Sequence, residues 1–140
     1  MRVAMLLADA AQAVGGKLYV LGGGWSVTGP GPSPMAIAIK IDVPWGQTDV
    51  RHRWVLDLVD QDGRPVLVPA SSGPEPVHIS GEFEVGRPPG LAEGTPIDLP
   101  LAISVGPLPL PPGTRCVWQL SIDGTSDPNW RLAFDIRPAR

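Results

Sequence analysis

Four carboxylates in two loop segments are the residues best suited to chemistry. They are Asp60 and Asp62 in segment 60–63, and Asp123 and Asp127 in segment 123–127. If consecutive strands alternate in direction, both loops emerge at the same end of the fold, where the four side chains could supply the oxygen ligands that Ca²⁺ needs. Both segments also contain Asp-Gly, a pair favoured in hairpin turns for its backbone conformation, and neither has the spacing of a calcium-binding loop. Turn formation is the favoured interpretation, and a calcium site is the alternative.

No combination of residues typical of a catalytic site is recognised. His52 begins a predicted strand, and His78 lies on the polar face of another. Side chains two residues apart on a strand are about 6–7 Å from each other, too far for a direct proton relay. The single cysteine, Cys116, alternates in phase with Trp118 and Leu120, which predicts a buried and inert thiol. We therefore expect a non-enzymatic protein without a cofactor.

Two of the five tryptophans lie in predicted loops. Trp25 follows a run of glycines, and Trp45 lies between a proline and a glycine. An exposed indole in such a loop could anchor a partner protein, because tryptophan is enriched among residues that dominate binding energy. The simpler interpretation is that each ring folds back onto the end of the fold. Both interpretations stay open, and both residues are candidates for partner binding.

The composition excludes several classes of partner and site. The chain has 11 Lys and Arg against 14 Asp and Glu, a formal charge of −3, and its cationic residues are scattered singly. Nucleic-acid binding and attachment to an anionic membrane both need clustered positive charge, so neither is expected. The apolar run near the N-terminus is short and is broken by Asp9, which favours a first strand over a signal peptide. One cysteine cannot form an internal disulfide, and the expected location is the cytoplasm.

Six segments alternate apolar and polar residues with the period of a β-strand that has one buried face. They are 35–43, 54–59, 77–85, 97–105, 116–122 and 130–137. Weaker strands are predicted at 3–8, 17–22 and 65–68, and the connector 9–16 is expected to contain one helical turn. Pro100 cannot donate a hydrogen bond to a neighbouring strand, so the strand 97–105 is predicted to be an edge strand or to carry a bulge.

The pattern predicts one all-β domain over residues 1–140. The 17 glycines and 18 prolines punctuate the chain so often that long helices are nearly excluded. Sheets with one apolar face and no helices to cover it must cover each other. We expect an antiparallel, immunoglobulin-like β-sandwich of about eight or nine strands, with a closed barrel as the main alternative.

Several motifs spread over nearly the whole chain resemble those of a known family. They are LLADAAQ (6–12) leading into GKLYVLGGGW (16–25), VPW (43–45), and CVWQLSIDG (116–124) followed by WRLAF (130–134). Together they resemble an uncharacterised family of small bacterial proteins, known only as a domain of unknown function. The resemblance implies no activity and no functional residues.

The sequence does not specify a biological function, but it favours one class. We expect a non-enzymatic interaction or structural module that binds a protein, or a second copy of itself, through loops or a free edge strand. The alternative is a small-ligand or calcium-dependent binding domain that uses the loops 60–63 and 123–127.

Overall fold

The computed structural model describes residues 1–140, and its regular secondary structure is almost entirely β-strand. The predicted all-β class is confirmed, but there are eleven strands instead of eight or nine. The strands are β1 (Arg2–Val14), β2 (Lys17–Gly23), β3 (Val27–Thr28), β4 (Met35–Val43), β5 (His52–Asp60), β6 (Leu67–Ala70), β7 (Gly73–Pro76), β8 (His78–Phe83), β9 (Ile97–Val105), β10 (Arg115–Ile122) and β11 (Thr125–Ile136). A single 3-10 turn, Trp45–Gln47, lies between β4 and β5. No helix is long and apolar enough to span a bilayer.

The strands form three sheets. The first sheet has the order β2-β1-β4-β9, and the second has the order β3-β11-β10-β5-β8. The third sheet is the small hairpin β6-β7. All neighbouring strands are antiparallel except β3 and β11, which run parallel over two residue pairs.

One hydrophobic core joins the first and second sheets. Its 23 buried residues include Ile37, Ile39 and Ile41 from β4, together with Trp118 from β10 and Phe134 from β11. Each of these five side chains is fully enclosed. The period-two pattern read from the sequence corresponds to burial most clearly in β5 and β10, where alternate residues are buried.

The position of β9 agrees with the constraint that proline imposes. β9 pairs only with β4 and forms one edge of the first sheet, and Pro100 lies opposite Lys40 in the regular register. At the edge of a sheet, a proline whose nitrogen faces away from the neighbouring strand costs no hydrogen bond between the strands. The edge-strand prediction is confirmed, and the register of this pair shows no bulge.

The expected connector over residues 9–16 is instead part of a long hairpin, and the predicted helical turn is wrong. β1 continues in extended conformation to Val14 and pairs with β2 through Lys17. Gly15 and Gly16 form the two-residue turn, with φ of 59° and 76°. A turn with positive φ at both central residues matches the twist of paired strands. Pairing with β2 therefore outweighs the helix preference of the alanines in this segment.

Beyond Ala8, where β1 stops pairing with β4, the β1–β2 hairpin bends over the outer face of the first sheet. Ala11 on β1 packs with Ala36 and Ala38 of β4, and Leu18 on β2 and Ala102 on β9 pack against the same cluster. Alanine lets the two layers approach closely, which explains why Ala36 and Ala38 are buried on a face expected to be polar.

The segment 65–77 contains two short strands where one was predicted. β6 and β7 pair with each other between Leu67 and Pro76. The chain therefore reverses direction once more than the sequence pattern suggested, so that β5 and β10 run antiparallel as neighbours. This extra reversal changes which loops share an end of the fold.

Candidate functional site

The structure places the two acidic loops at opposite ends of the second sheet, which corrects the expectation that they emerge together. In the β5–β10 pair, Asp60 lies opposite Cys116 at one end, whereas Trp54 lies opposite Ile122 at the other. Asp123 follows Ile122 directly, so the length of the strand pair separates it from Asp60. The four carboxylates considered for Ca²⁺ do not converge, and no group of three or more potential ligand residues is placed to hold a metal ion.

Each acidic loop uses its carboxylates for local structure. Asp60 Oδ1 accepts hydrogen bonds from the N–H groups of Asp62 and Arg64, both at 2.9 Å. Asp127 Oδ1 accepts one from the N–H of Asn129 at 2.8 Å. Asp123 has a φ of 52° in the turn between β10 and β11. These are the roles that aspartate has in turns, as the sequence interpretation favoured.

A polar cleft of about 490 Å³ lies beside the Asp60–Asp62 loop. Arg115 and Asp135 form part of its wall, and the Arg115 guanidinium donates to both carboxylate oxygens of Asp135 at 3.2 Å. Both side chains are about half exposed. The cleft therefore contains one pair of opposite charges that already neutralise each other.

His52 forms a buried polar contact that the sequence did not predict. Its side chain is almost fully buried, and its ring lies against Phe83 with the centroids 5.1 Å apart. Nδ1 lies 2.6 Å from Asp123 Oδ2, and Nε2 lies 2.8 Å from the carbonyl oxygen of Gln47. Both ring nitrogens face acceptors, so the doubly protonated imidazolium is the form that satisfies both contacts.

These contacts change the protonation equilibria of both partners. Burial lowers the pKa of His52, but the hydrogen bonds to Gln47 and Asp123 outweigh it, and the pKa lies above its ordinary value. The pKa of Asp123 lies below its ordinary value because its carboxylate accepts from His52 and from the N–H of Arg53. The pair ties the turn after β10 to the first residue of β5. Because every polar atom of the ring already has a partner, the geometry is that of a structural contact.

The two loop tryptophans fold back onto the molecule. Trp25 is partly buried and meets Phe134 edge-on, with ring centroids 6.3 Å apart. Trp45 is also partly buried, and the guanidinium of Arg87 lies 4.3 Å from the centre of its ring. Both indoles pack against the main core. These contacts account for both residues without a partner, and a role in partner binding stays a prediction.

Cys116 is a buried free thiol in β10. Only 1% of the residue is exposed, and burial raises the pKa of its thiol. A thiol that resists ionisation is a poor nucleophile and a poor metal ligand. The position fits the inert core cysteine expected from the sequence.

The outer edges of the two larger sheets differ in how they are protected. Unpaired backbone groups on an edge invite another strand, and proteins usually block them with charges, proline or short strands. β9 carries Asp98 and Pro100, β8 carries His78 and Glu82, and β3 has only two residues. By contrast, β2 has no charged residue and no proline between positions 18 and 23. The edge of β2 is therefore the unprotected one.

The hairpin geometry identifies which backbone groups of β2 are free. Next to a two-residue turn, the flanking pair Val14–Lys17 exchanges hydrogen bonds, and antiparallel pairs then alternate between bonded and non-bonded. Tyr19 and Leu21 lie two and four residues after Lys17, so they belong to hydrogen-bonded pairs with β1. Leu18 and Val20 belong to non-bonded pairs, so their N–H and C=O groups point away from β1 along the free edge.

The side chains beside this edge are apolar and exposed. Leu21 is 72% exposed, and Tyr19 and Val14 are each 56% exposed. A shallow groove of about 340 Å³ lies on the hairpin, and five of its six lining residues are hydrophobic. Large apolar side chains grouped on one surface are typical of a contact site. We call β2 and these side chains the β2 edge.

The chain matches one family over most of its length. The Family of unknown function (DUF6941) matches residues 3–136. The chain belongs to the DUF6941 family. No curated protein and no solved structure matches it.

Membership of DUF6941 carries no activity, and the candidate site therefore rests on geometry alone. Sequence reasoning named edge-strand binding as a mechanism for this DUF6941 protein but did not locate the edge. The available signal was Gly15-Gly16 between two apolar runs, which is typical of a two-residue hairpin. Lys17–Gly23 then follows without an internal charge or proline, which marks an unprotected strand.

Proposed function

We propose that this DUF6941 protein is a non-enzymatic interaction module that binds a protein through the β2 edge. In this mode an extended strand of the partner adds to the first sheet, next to β2. Main-chain hydrogen bonds provide affinity, and contacts with alternate side chains provide specificity. The free backbone groups of Leu18 and Val20 would bind the added strand, and Tyr19 and Leu21 would contact its side chains.

The observation that carries this proposal is the contrast between β2 and the other edges. Pro100 and Asp98 protect β9, and Glu82 protects β8, whereas β2 exposes Tyr19 and Leu21 and has no such residue in its interior. An unprotected edge flanked by exposed apolar side chains lowers solubility unless a partner covers it.

A catalytic role has less support from the geometry. The most enclosed polar contact, between His52 and Asp123, leaves neither ring nitrogen of His52 free to accept or donate a proton to a substrate. The polar cleft beside Asp60 contains the paired charges of Arg115 and Asp135. Both features are explained by structural roles, which favours binding over catalysis as the activity.

We infer that the first and second sheets pack face to face as an immunoglobulin-like sandwich, supported by the single core to which both contribute. We also place the protein in the cytoplasm, supported by the unpaired buried thiol of Cys116 and the absence of any other cysteine.

Site-specific photocrosslinking in cells tests the binding site. A photoreactive phenylalanine analogue placed at Leu21 should form covalent adducts with a protein, because this side chain lies on the β2 edge and is mostly exposed. The same analogue at Leu67 provides a matched control, since Leu67 is also an exposed leucine (55%) on a strand, but in the third sheet. The measurement is the yield and the mass of the adducts after irradiation.

Adducts at position 21 that exceed those at position 67 several-fold would support the β2 edge as the binding surface. Equal yields at the two positions, or no adduct at position 21, would contradict it. Mass spectrometry of the adduct also distinguishes a second copy of this chain from a different protein.

A further inference from the structure

We infer that the strand bound at the β2 edge is β2 of a second copy, so that the protein forms a symmetric dimer with one continuous eight-stranded sheet. This inference rests on the proposed function and names its partner. A two-fold axis makes identical surfaces meet, so the β2 edge must be complementary to itself. Its free backbone groups, its charges and its side chains should therefore each match their own copies after a two-fold rotation.

The free backbone groups fit an antiparallel pairing centred on Val20. In this register Val20 lies opposite Val20 of the second copy and Tyr19 lies opposite Leu21. Leu18 comes opposite Gly22, whose φ of 59° departs from the extended conformation and ends the regular pairing there. Along an antiparallel strand, every second residue directs its N–H and C=O groups to the same side. The backbone groups of Leu18 and Val20 therefore both face the second copy. The two copies of Val20 then exchange a pair of hydrogen bonds across the axis.

The charges at the two ends of β2 are complementary. Lys17 is the only charged residue of the strand and lies at its first position. Asp9 of β1 lies at the other end, where its carboxylate is so close to Gly22 that a Cβ there would overlap it. Antiparallel pairing brings Lys17 of each copy to the end of β2 where the other copy carries Asp9. No like charges face each other along the edge.

The side chains between these ends are also complementary. In the register centred on Val20, Tyr19 lies opposite Leu21 of the second copy, and this pair occurs twice. These are the two most exposed apolar side chains of the strand, at 56% and 72%. Pairs of aromatic and aliphatic side chains on neighbouring strands stabilise a sheet. The same contacts would remove both side chains from water.

The test is the sedimentation of the purified full-length chain over a wide concentration range. The wild-type protein should sediment as a monomer–dimer equilibrium. Val20→Lys places two ammonium groups directly opposite each other and should raise the dimer dissociation constant at least about tenfold. Val50→Lys is the matched control, because Val50 is 50% exposed and lies outside the strands, and it should leave the constant unchanged. Circular dichroism and thermal melting of both variants verify that they fold.

Disulfide trapping tests the register. A cysteine at Val20 should cross-link to its copy under mild oxidation, since opposite residues of a bonded pair lie about 5.5 Å apart and a disulfide spans about 4.4–6.8 Å between Cα atoms. A cysteine at Leu18 should not, because residues 18 of the two copies are separated by about four residues of strand. The native thiol of Cys116 is buried and serves as the internal control in the wild type.

The outcomes separate this inference from the proposed function. Dimers that Val20→Lys weakens and that the cysteine at position 20 traps support the second copy as the partner. A strict monomer at all concentrations overturns the inference, and if photocrosslinking at Leu21 still traps a different protein, the proposed function stands. A dimer that is unaffected by Val20→Lys overturns it as well, because the contact must then lie elsewhere.

Discussion

Replacing Trp118 with alanine should lower the free energy of unfolding by about 3–5 kcal/mol. Trp118 is fully buried in β10, and the core around it receives residues from both larger sheets. The variant removes most of the apolar contact area of the side chain and leaves a cavity that the surrounding strands cannot fill. Urea unfolding of variant and wild type, followed by far-ultraviolet circular dichroism, measures the difference.

Trp118→Phe separates packing from hydrogen bonding. The indole nitrogen of Trp118 is buried and has no hydrogen-bond partner. Phenylalanine keeps an aromatic ring and removes that unpaired donor, so this variant should lose much less stability than Trp118→Ala. A loss below about 1 kcal/mol for the alanine variant would contradict the shared core, since it would indicate a side chain outside the apolar layer.

Replacing Asp123 with asparagine should lower the free energy of unfolding by about 1–3 kcal/mol near pH 6. The substitution removes the negative charge beside the buried His52 ring, but it keeps a residue type that tolerates the φ of 52° at this turn. Without the carboxylate, burial dominates the equilibrium of His52 and its pKa should fall. Two-dimensional NMR of the imidazole nitrogens over a pH series measures that pKa directly.

The sign of the pH dependence follows from the two shifts. The pKa of His52 in the folded protein lies above 6.5, so its stabilising contribution is complete below about pH 6.5 and is lost as the pH rises through the folded pKa. The pKa of Asp123 lies below 3.8, so its contribution is present above that value and is lost as the pH falls through the folded pKa. The contact is strongest between these two folded pKa values, and the effect of Asp123→Asn should shrink above the pKa of His52 and below the pKa of Asp123.

Asp57→Asn provides the matched control for the histidine contact. Asp57 Oδ1 also lies 2.6 Å from a histidine nitrogen, that of His78, but both side chains are about half exposed. Exposed pairs contribute about 0–1 kcal/mol, so this variant should have the smaller effect. If the two variants have equal effects at pH 6, or if the effect of Asp123→Asn does not depend on pH, the account of His52 is wrong.

The strands with clear alternation were predictable because burial of one face imposes a period of two. β4 shows this best, since Ile37, Ile39 and Ile41 were assigned to the inner face and all three are fully buried. The turn at Asp123-Gly124 was predictable for a different reason, because both residues have positive φ in the structure and this dipeptide tolerates it.

The candidate site was harder to predict because local preferences there disagree with the fold. The alanines around Ala10 favour a helix, and only the pairing with β2 keeps β1 extended to Val14. The exposed edge of β2 also depends on strand order, since period and composition do not say which strands lie at the edge of a sheet. The sequence pattern predicted a strand over 17–22, but not that this strand lacks a second neighbour.

The acidic loops show how one missed strand changes a site. β7 has the sequence Gly-Pro-Glu-Pro, which has no strand preference, and it forms through pairing with β6. Omitting it reverses the assumed direction of every later strand. The loops around Asp60 and Asp123 then appear to share an end of the fold, whereas the β5–β10 register separates them.

Residue-resolved amide hydrogen exchange tests the β2 edge most directly. In dilute solution the N–H groups of Tyr19 and Leu21 should exchange slowly, because they are bonded to β1, whereas those of Leu18 and Val20 should exchange quickly. When the protein is concentrated, or when a partner trapped at Leu21 is added, the amides of Leu18 and Val20 should become protected. If the amides of Leu18 and Val20 exchange just as fast in concentrated protein and with the added partner as in dilute solution, no strand adds to β2 and the proposed binding site is wrong.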